Sequence, residues 1–118
     1  PNALVLYFPA LKIEIDNWFI KLLKSRANPL DCSPYNHIRP NLPPTIIFHG
    51  TEDETVPFWS VQDFTKKMKE AENTCNLYEF TGSGHILTRN EDDYEKTLKL
   101  TEEFLTSQNY LTYDKTAN

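Results

Sequence analysis

An α/β fold with a parallel sheet is what this sequence predicts, and three observations carry it. Ala3–Phe8 (ALVLYF) and Thr45–His49 (TIIFH) are short, nearly continuous apolar runs rich in β-formers. Such runs read as strands buried on both faces. Leu77–Thr81 (LYEFT) alternates instead, as a strand nearer a sheet edge does. Around it the apolar spacing changes to helical, so strand and helix alternate, the pattern of a parallel sheet with crossover helices.

Taken in order, the first strand leads into a different kind of segment, Pro9–Pro44. Ile15, Trp18, Phe19, Leu22 and Leu23 make one amphipathic helix there. Pro29, Pro34, Pro40, Pro43 and Pro44 then forbid regular structure throughout. The segment reads as a lid-like insertion between two strands, and long ordered excursions of this kind usually serve function. After the second strand, Phe58, Val61, Phe64, Met68 and Ala71 recur at helical spacing over Pro57–Asn73, and Pro57 suits the first turn. After the third, Asn90 can cap a helix with Glu91, Asp92 and Asp93 in its first turn. That helix runs to about Ser107 and is expected to bury Tyr94, Leu98, Phe104 and Leu105. Residues 1–111 are therefore read as one domain, with 9–44 as its insertion and the polar 112–118 as a loose tail.

Composition excludes several function classes. With 118 residues there is room for one domain, and 39% apolar with 13% aromatic residues is enough to pack a core. Twelve Lys and Arg against 17 Asp and Glu leave a net charge of −5 and no basic stripe. Nucleic acid and anionic membrane surfaces are thus poor partners. No apolar run approaches the length that spans a bilayer. Three glycines, Gly50, Gly82 and Gly84, cannot form G-x-G-x-x-G, a P-loop or G-x-S-x-G. Cys32 and Cys75 have neither C-x-x-C nor zinc spacing, and read as two reduced thiols. The chain opens Pro1-Asn2-Ala3, without an initiator Met or a secretory leader, and reads as the inside of a longer protein or a mature piece of one.

The chemistry concentrates at two histidines. Gly82-Ser83-Gly84-His85 follows the third strand, and His49-Gly50-Thr51-Glu52-Asp53-Glu54-Thr55-Val56-Pro57 leaves the second. Both lie at the carboxyl edge of the sheet, where ligands and catalytic groups gather in open parallel sheets. Adjacent strands would bring Asp53 within hydrogen-bonding distance of His85. A carboxylate that accepts Nδ1–H fixes the tautomer and stabilises the imidazolium formed when Nε2 takes a proton. By themselves, an Asp and a His on neighbouring loops are also what two ordinary surface loops carry.

Joined, PPTIIFHGTEDETVP, an amphipathic helix, a short strand and GSGH resemble the C-terminal part of α/β-hydrolase-fold serine esterases. The likeness is to the acetyl-esterase, dienelactone-hydrolase and prolyl-oligopeptidase-like branches, and it extends from Pro1 to about Leu111. The resemblance implies Asp53 as the acidic triad member and His85 as the catalytic base. It also implies that the nucleophile, the Ser of a G-x-S-x-G elbow, lies upstream of these residues, together with the oxyanion donors. Many relatives continue the His motif with Gly and Phe, whereas Ile86 and Leu87 follow here, so Ile86 alters the wall beside the base.

Other residues have plainer readings. Ser83 is too near in sequence to serve His85, Ser33 lies in the proline-rich insertion, and Ser60 sits inside a helix, so none replaces the missing nucleophile. His49 ends a buried strand and is expected to hold the Asp53 loop through backbone bonds. His37 reads as an ordinary loop residue, and a metal site built from the three histidines is not supported. Trp59, beside the Asp53 loop, is expected to line an acyl or leaving-group pocket, and Glu52 is the alternative orienter should it point inward.

The expected function is therefore the His- and Asp-bearing part of a carboxylic-ester hydrolase acting on a small-molecule ester, with no cofactor and no activity alone. Two alternatives stand: part of a prolyl-oligopeptidase-type peptidase, or a non-catalytic interaction module. Three strands alone leave an unpaired sheet edge, through which a homo-oligomer would form.

Overall fold

A computed structural model describes residues 1–112. The tail expected at 112–118 therefore lies, from residue 113 on, outside the described residues. Three strands, β1 (Leu4–Tyr7), β2 (Thr45–Gly50) and β3 (Cys75–Phe80), pair in parallel in the order β1-β2-β3. Register places Leu6, Ile47 and Leu77 in one row and Tyr7, Phe48 and Tyr78 in the next. Successive side chains alternate across a sheet, so these rows face opposite sides.

Each face has its own cover. Leu6, Ile47, Cys75 and Leu77 pack against Val61, Phe64 and Met68 of α3 (Phe58–Glu70), with Leu11 of the insertion. Val5, Tyr7, Ile46, Phe48 and Phe80 pack against Leu87 and against Leu100 and Phe104 of α4 (Glu91–Ser107). The insertion and α3 thus connect successive strands across the same face, as crossovers of one hand require. β2 lies between both layers and is buried along its whole length.

The expected elements shift in detail. β1 is half-buried, not buried, because it is an outer strand with nothing paired to its far edge among the described residues. β3 begins two residues before Leu77, at Cys75, and Thr81 already belongs to the turn. Pro57 is the residue that caps α3 instead of lying in its first turn, and Ala71 closes the helix. In α4, Asn90 caps as expected, its side chain accepting from the Asp93 N–H at 3.0 Å. Tyr94 and Leu98, however, are exposed. The row facing the sheet is Thr97, Leu100 and Phe104, which turns Leu98 about 100° aside.

The amphipathic helix of the insertion starts after Ile15. Asp16 accepts from the backbone N–H groups of Trp18 and Phe19, which starts α1 (Asn17–Leu23) and leaves Ile15 outside it, in a 3-10 turn Ile13–Ile15. A single short turn of helix, α2 (Pro29–Cys32), and a 3-10 turn, Pro34–His37, follow. No residue of α1 is buried. Lys12 ties the insertion to α3 through Asp63 at 3.2 Å, with its ammonium 4.2 Å from the Tyr35 ring centre.

Candidate active site

The carboxyl ends of the three strands deliver Phe8, the Asp53 loop and the His85 loop to one edge. Gly50 makes the close approach of the last two feasible. A Cβ there would stand 2.1 Å from the Ser83 carbonyl oxygen and 2.6 Å from that of Gly84, distances no side chain tolerates. The loops are then laced by backbone bonds from Thr51 N–H to the Phe80 carbonyl at 3.1 Å and from Glu52 N–H to Ser83 at 3.0 Å. Gly82, at φ +81, makes the turn that a side chain would strain, and its N–H donates to the Thr51 hydroxyl at 2.9 Å.

Asp53 is 7% exposed. Its Oδ1 accepts the backbone N–H groups of Thr55 at 2.8 Å and Val56 at 2.7 Å, so the loop folds around the carboxylate. Oδ2 lies 2.9 Å from His85 Nδ1. A carboxylate there takes the Nδ1–H, and Nε2 is the nitrogen left for a partner. The His85 ring is backed by Phe8, with ring centres 4.9 Å apart. Phe8 adopts φ +38, unusual for a bulky residue, and its N–H donates to the Phe48 carbonyl at 2.8 Å. Sequence reasoning missed Phe8, although its place after the first strand and before Pro9 pointed to this edge.

Beside the pair opens a cleft of about 740 Å³. Trp18 and Phe19 of α1 contribute to its lining, as do Val56, Pro57, Phe8 and His85. The insertion therefore forms part of the cleft. Trp59 does not line it: the indole is 48% exposed, with the Lys12 ammonium 5.0 Å from its ring centre. The start of α3 at Phe58 turns Val56 and Pro57 to the cleft and Trp59 away from it. Ile86 is 41% exposed and also stands outside the lining.

Of the two carboxylates weighed as orienter, Asp53 is buried against His85 while Glu52 is exposed. The three serines weighed are engaged elsewhere. Ser83 donates to Asp93 at 2.6 Å, Ser60 to the Pro57 carbonyl at 2.7 Å, and Ser33 bonds to Glu14 and to the Pro29 carbonyl. His37 is exposed, with Nε2 on the Asp31 carbonyl. His49 Nε2 lies 2.8 Å from the Val56 carbonyl, and burial holds its pKa below the ordinary value. Among the described residues, no three His, Cys, Asp or Glu are grouped to hold a metal ion. Cys32 is exposed and Cys75 buried, both as free thiols.

The chain as a whole is similar to known proteins. Residues 6–110 match the model of the prolyl oligopeptidase family, peptidase family S9. The chain belongs to that family. Solved structures of esterase 2 from the planctomycete Thermogutta terrifontis are similar along almost its whole length. The sarin-phosphonylated form is 38% identical over 96% of this chain, with a TM-score of 0.88. The propionate-bound form is 39% identical over 96%, with a TM-score of 0.85, and the butyrate-bound form 38% over 96%, at 0.84. The chain spans 46%, 45% and 46% of those three chains, less than half of each. No curated protein sequence matches. The three parallel strands with their helices are thus an α/β-hydrolase-type arrangement within a family of hydrolases.

Proposed function

We propose that this chain supplies the base and its orienter, His85 and Asp53, to a serine hydrolase of short-chain carboxylic esters. The observation that carries the reading is the buried Asp53 carboxylate 2.9 Å from His85 Nδ1 at the carboxyl edge of the sheet. The nucleophilic Ser and the oxyanion donors come from polypeptide outside these residues. Residues 1–111 are then the C-terminal part of one hydrolase domain, 9–44 being an insertion that borders the substrate cleft. The free edge of β1 receives the remaining strands of the sheet, and in their absence a second copy. On this reading the 118 residues alone are inactive.

The mechanism follows from the geometry. His85 Nε2 takes the proton of the Ser hydroxyl as its oxygen attacks the ester carbonyl, and Asp53 stabilises the imidazolium. The imidazolium returns that proton to the departing alkoxide, which leaves an acyl-enzyme. Water then attacks the acyl carbon, losing its proton to Nε2, and the carboxylic acid departs as the Ser regains its hydrogen. An ester is preferred to a peptide substrate because the solved relatives, 38 to 40% identical, are esterases with propionate or butyrate bound in two cases.

The test is hydrolysis of p-nitrophenyl butyrate by the full-length protein. His85→Ala should lower kcat by about four orders of magnitude, and Asp53→Asn comparably, since the amide holds the wrong tautomer. Turnover that survives His85→Ala would end the proposal.

A further inference from the structure

Beside the Asp53–His85 pair stands a second imidazole that the mechanism above does not use. The His49 side chain is 0% exposed, and its Nε2 lies 2.8 Å from the Val56 carbonyl oxygen and 3.1 Å from Asp53 Oδ2. Both neighbours accept hydrogen bonds, so the ring proton sits on Nε2, and Nδ1 is a buried acceptor without a partner. The imidazole hydrogen-bonded to Oδ2 is that of His85, at 2.9 Å, while the His49 proton is bonded to Val56 and its nitrogen stands in contact with Oδ2.

We propose that His49 is a positioning residue for His85: its Nε2, bonded through its proton to Val56, stands 3.1 Å from the carboxylate oxygen that orients the base, and that dipole sets how firmly Asp53 holds the His85 proton. The proposal rests on the reading of Asp53 and His85 as orienter and base, but it can be tested without turnover. A bond to Val56 alone would suffice to fasten the loop. The 3.1 Å approach adds a donor dipole against a buried anion, where such dipoles act strongly. Removing it leaves the carboxylate more basic and its pull on the His85 imidazolium stronger.

The other groups around the pair are few. Asp53 and His85 are the two groups that act on His49 through charge. From α3 the Phe58 ring faces it, with centres 6.0 Å apart. Around His85, the cleft adds Asp16 at the start of α1, Glu54 of the Asp53 loop and Tyr7 of β1. Asp16 is committed to capping α1, Glu54 is exposed, and the Tyr7 hydroxyl donates to Thr97 at 2.9 Å. Burial disfavours a charged His49 and so favours the ring as a neutral donor.

The test follows both histidines by 15N NMR across pH in the full-length protein, in wild type, His49→Gln and His49→Leu. Gln offers an N–H at the reach of Nε2, and Leu offers none. In His49→Leu, the pH at which His85 gains its second proton should rise by roughly half a unit, and the acid limb of the turnover profile with it. In His49→Gln both should stay within about 0.2 unit of wild type. Equal shifts in the two variants, or none in Leu, would overturn the assignment. Should His49→Leu not fold, wild type and Gln decide. A neutral Nε2–H signal for His49 while His85 titrates, with an unmoved Gln variant, supports the proposal, and an Nδ1–H tautomer or a displaced Gln variant refutes it. Turnover surviving His85→Ala would remove the esterase reading and leave the NMR comparison standing.

Discussion

Asp53 shows how one side chain organises this edge. Its two oxygens take two backbone N–H groups and one imidazole, so the residue shapes its loop and points His85 in the same act. Burial of such a group is stable only because its acceptors are filled. His49 carries the opposite sensitivity. Its folded-state pKa is lowered by burial, so the unfolded chain binds a proton at His49 that the folded chain refuses. Stability from this group is therefore present above the ordinary imidazole value of 6.5 and falls as pH drops from there toward the lower folded value. One proton contributes a slope of at most about 1.4 kcal/mol per pH unit. The urea midpoint should fall between pH 7 and pH 5, and His49→Gln should retain more of its pH 7 midpoint. Parallel losses in both proteins would contradict the assignment.

Elements were legible where their signal was local. β2 could be read from the three apolar letters Ile46, Ile47 and Phe48 because both its faces are covered. α4 could be placed from Asn90 and three acids, yet its buried face was read only in part, correctly at Phe104 and Leu105. Helical spacing identifies a row, and only packing shows that Thr97 and Leu100 join the expected Phe104 against the sheet while Tyr94 and Leu98 are exposed. In the insertion, Asp16 broke the periodic pattern by capping, a competition between side chain and backbone that apolar spacing does not display. The Asp53 and His85 loops were legible from their motifs, whereas Phe8 and the outward turn of Trp59 depend on tertiary geometry. The two loops come together through Gly50, which makes it the sharpest element-scale test. Gly50→Ala should separate them or distort β2, since the new methyl meets backbone oxygen instead of a yielding side chain. A loss of at least 1 to 3 kcal/mol, roughly the cost of overpacking, should appear in denaturant unfolding together with reduced turnover. A variant of unchanged stability and activity would mean that the loops do not approach this closely.

At the scale of the molecule, several large apolar side chains stay uncovered. Trp18 and Leu22 on α1, Tyr94 and Leu98 on α4, and Tyr110 and Leu111 beyond it are exposed, and β1 presents an unpaired edge. Large uncovered apolar groups of this kind mark interaction sites. Together with relatives about twice as long, they fit a chain whose chemistry is completed by other polypeptide. The most direct measurement is to treat the full-length protein with a phosphonate ester and map the adduct by peptide mass spectrometry. The account predicts one adduct on a Ser outside these 118 residues, formed at a rate that collapses in His85→Ala. An adduct on Ser33, Ser60 or Ser83, or an undiminished rate in His85→Ala, would contradict it.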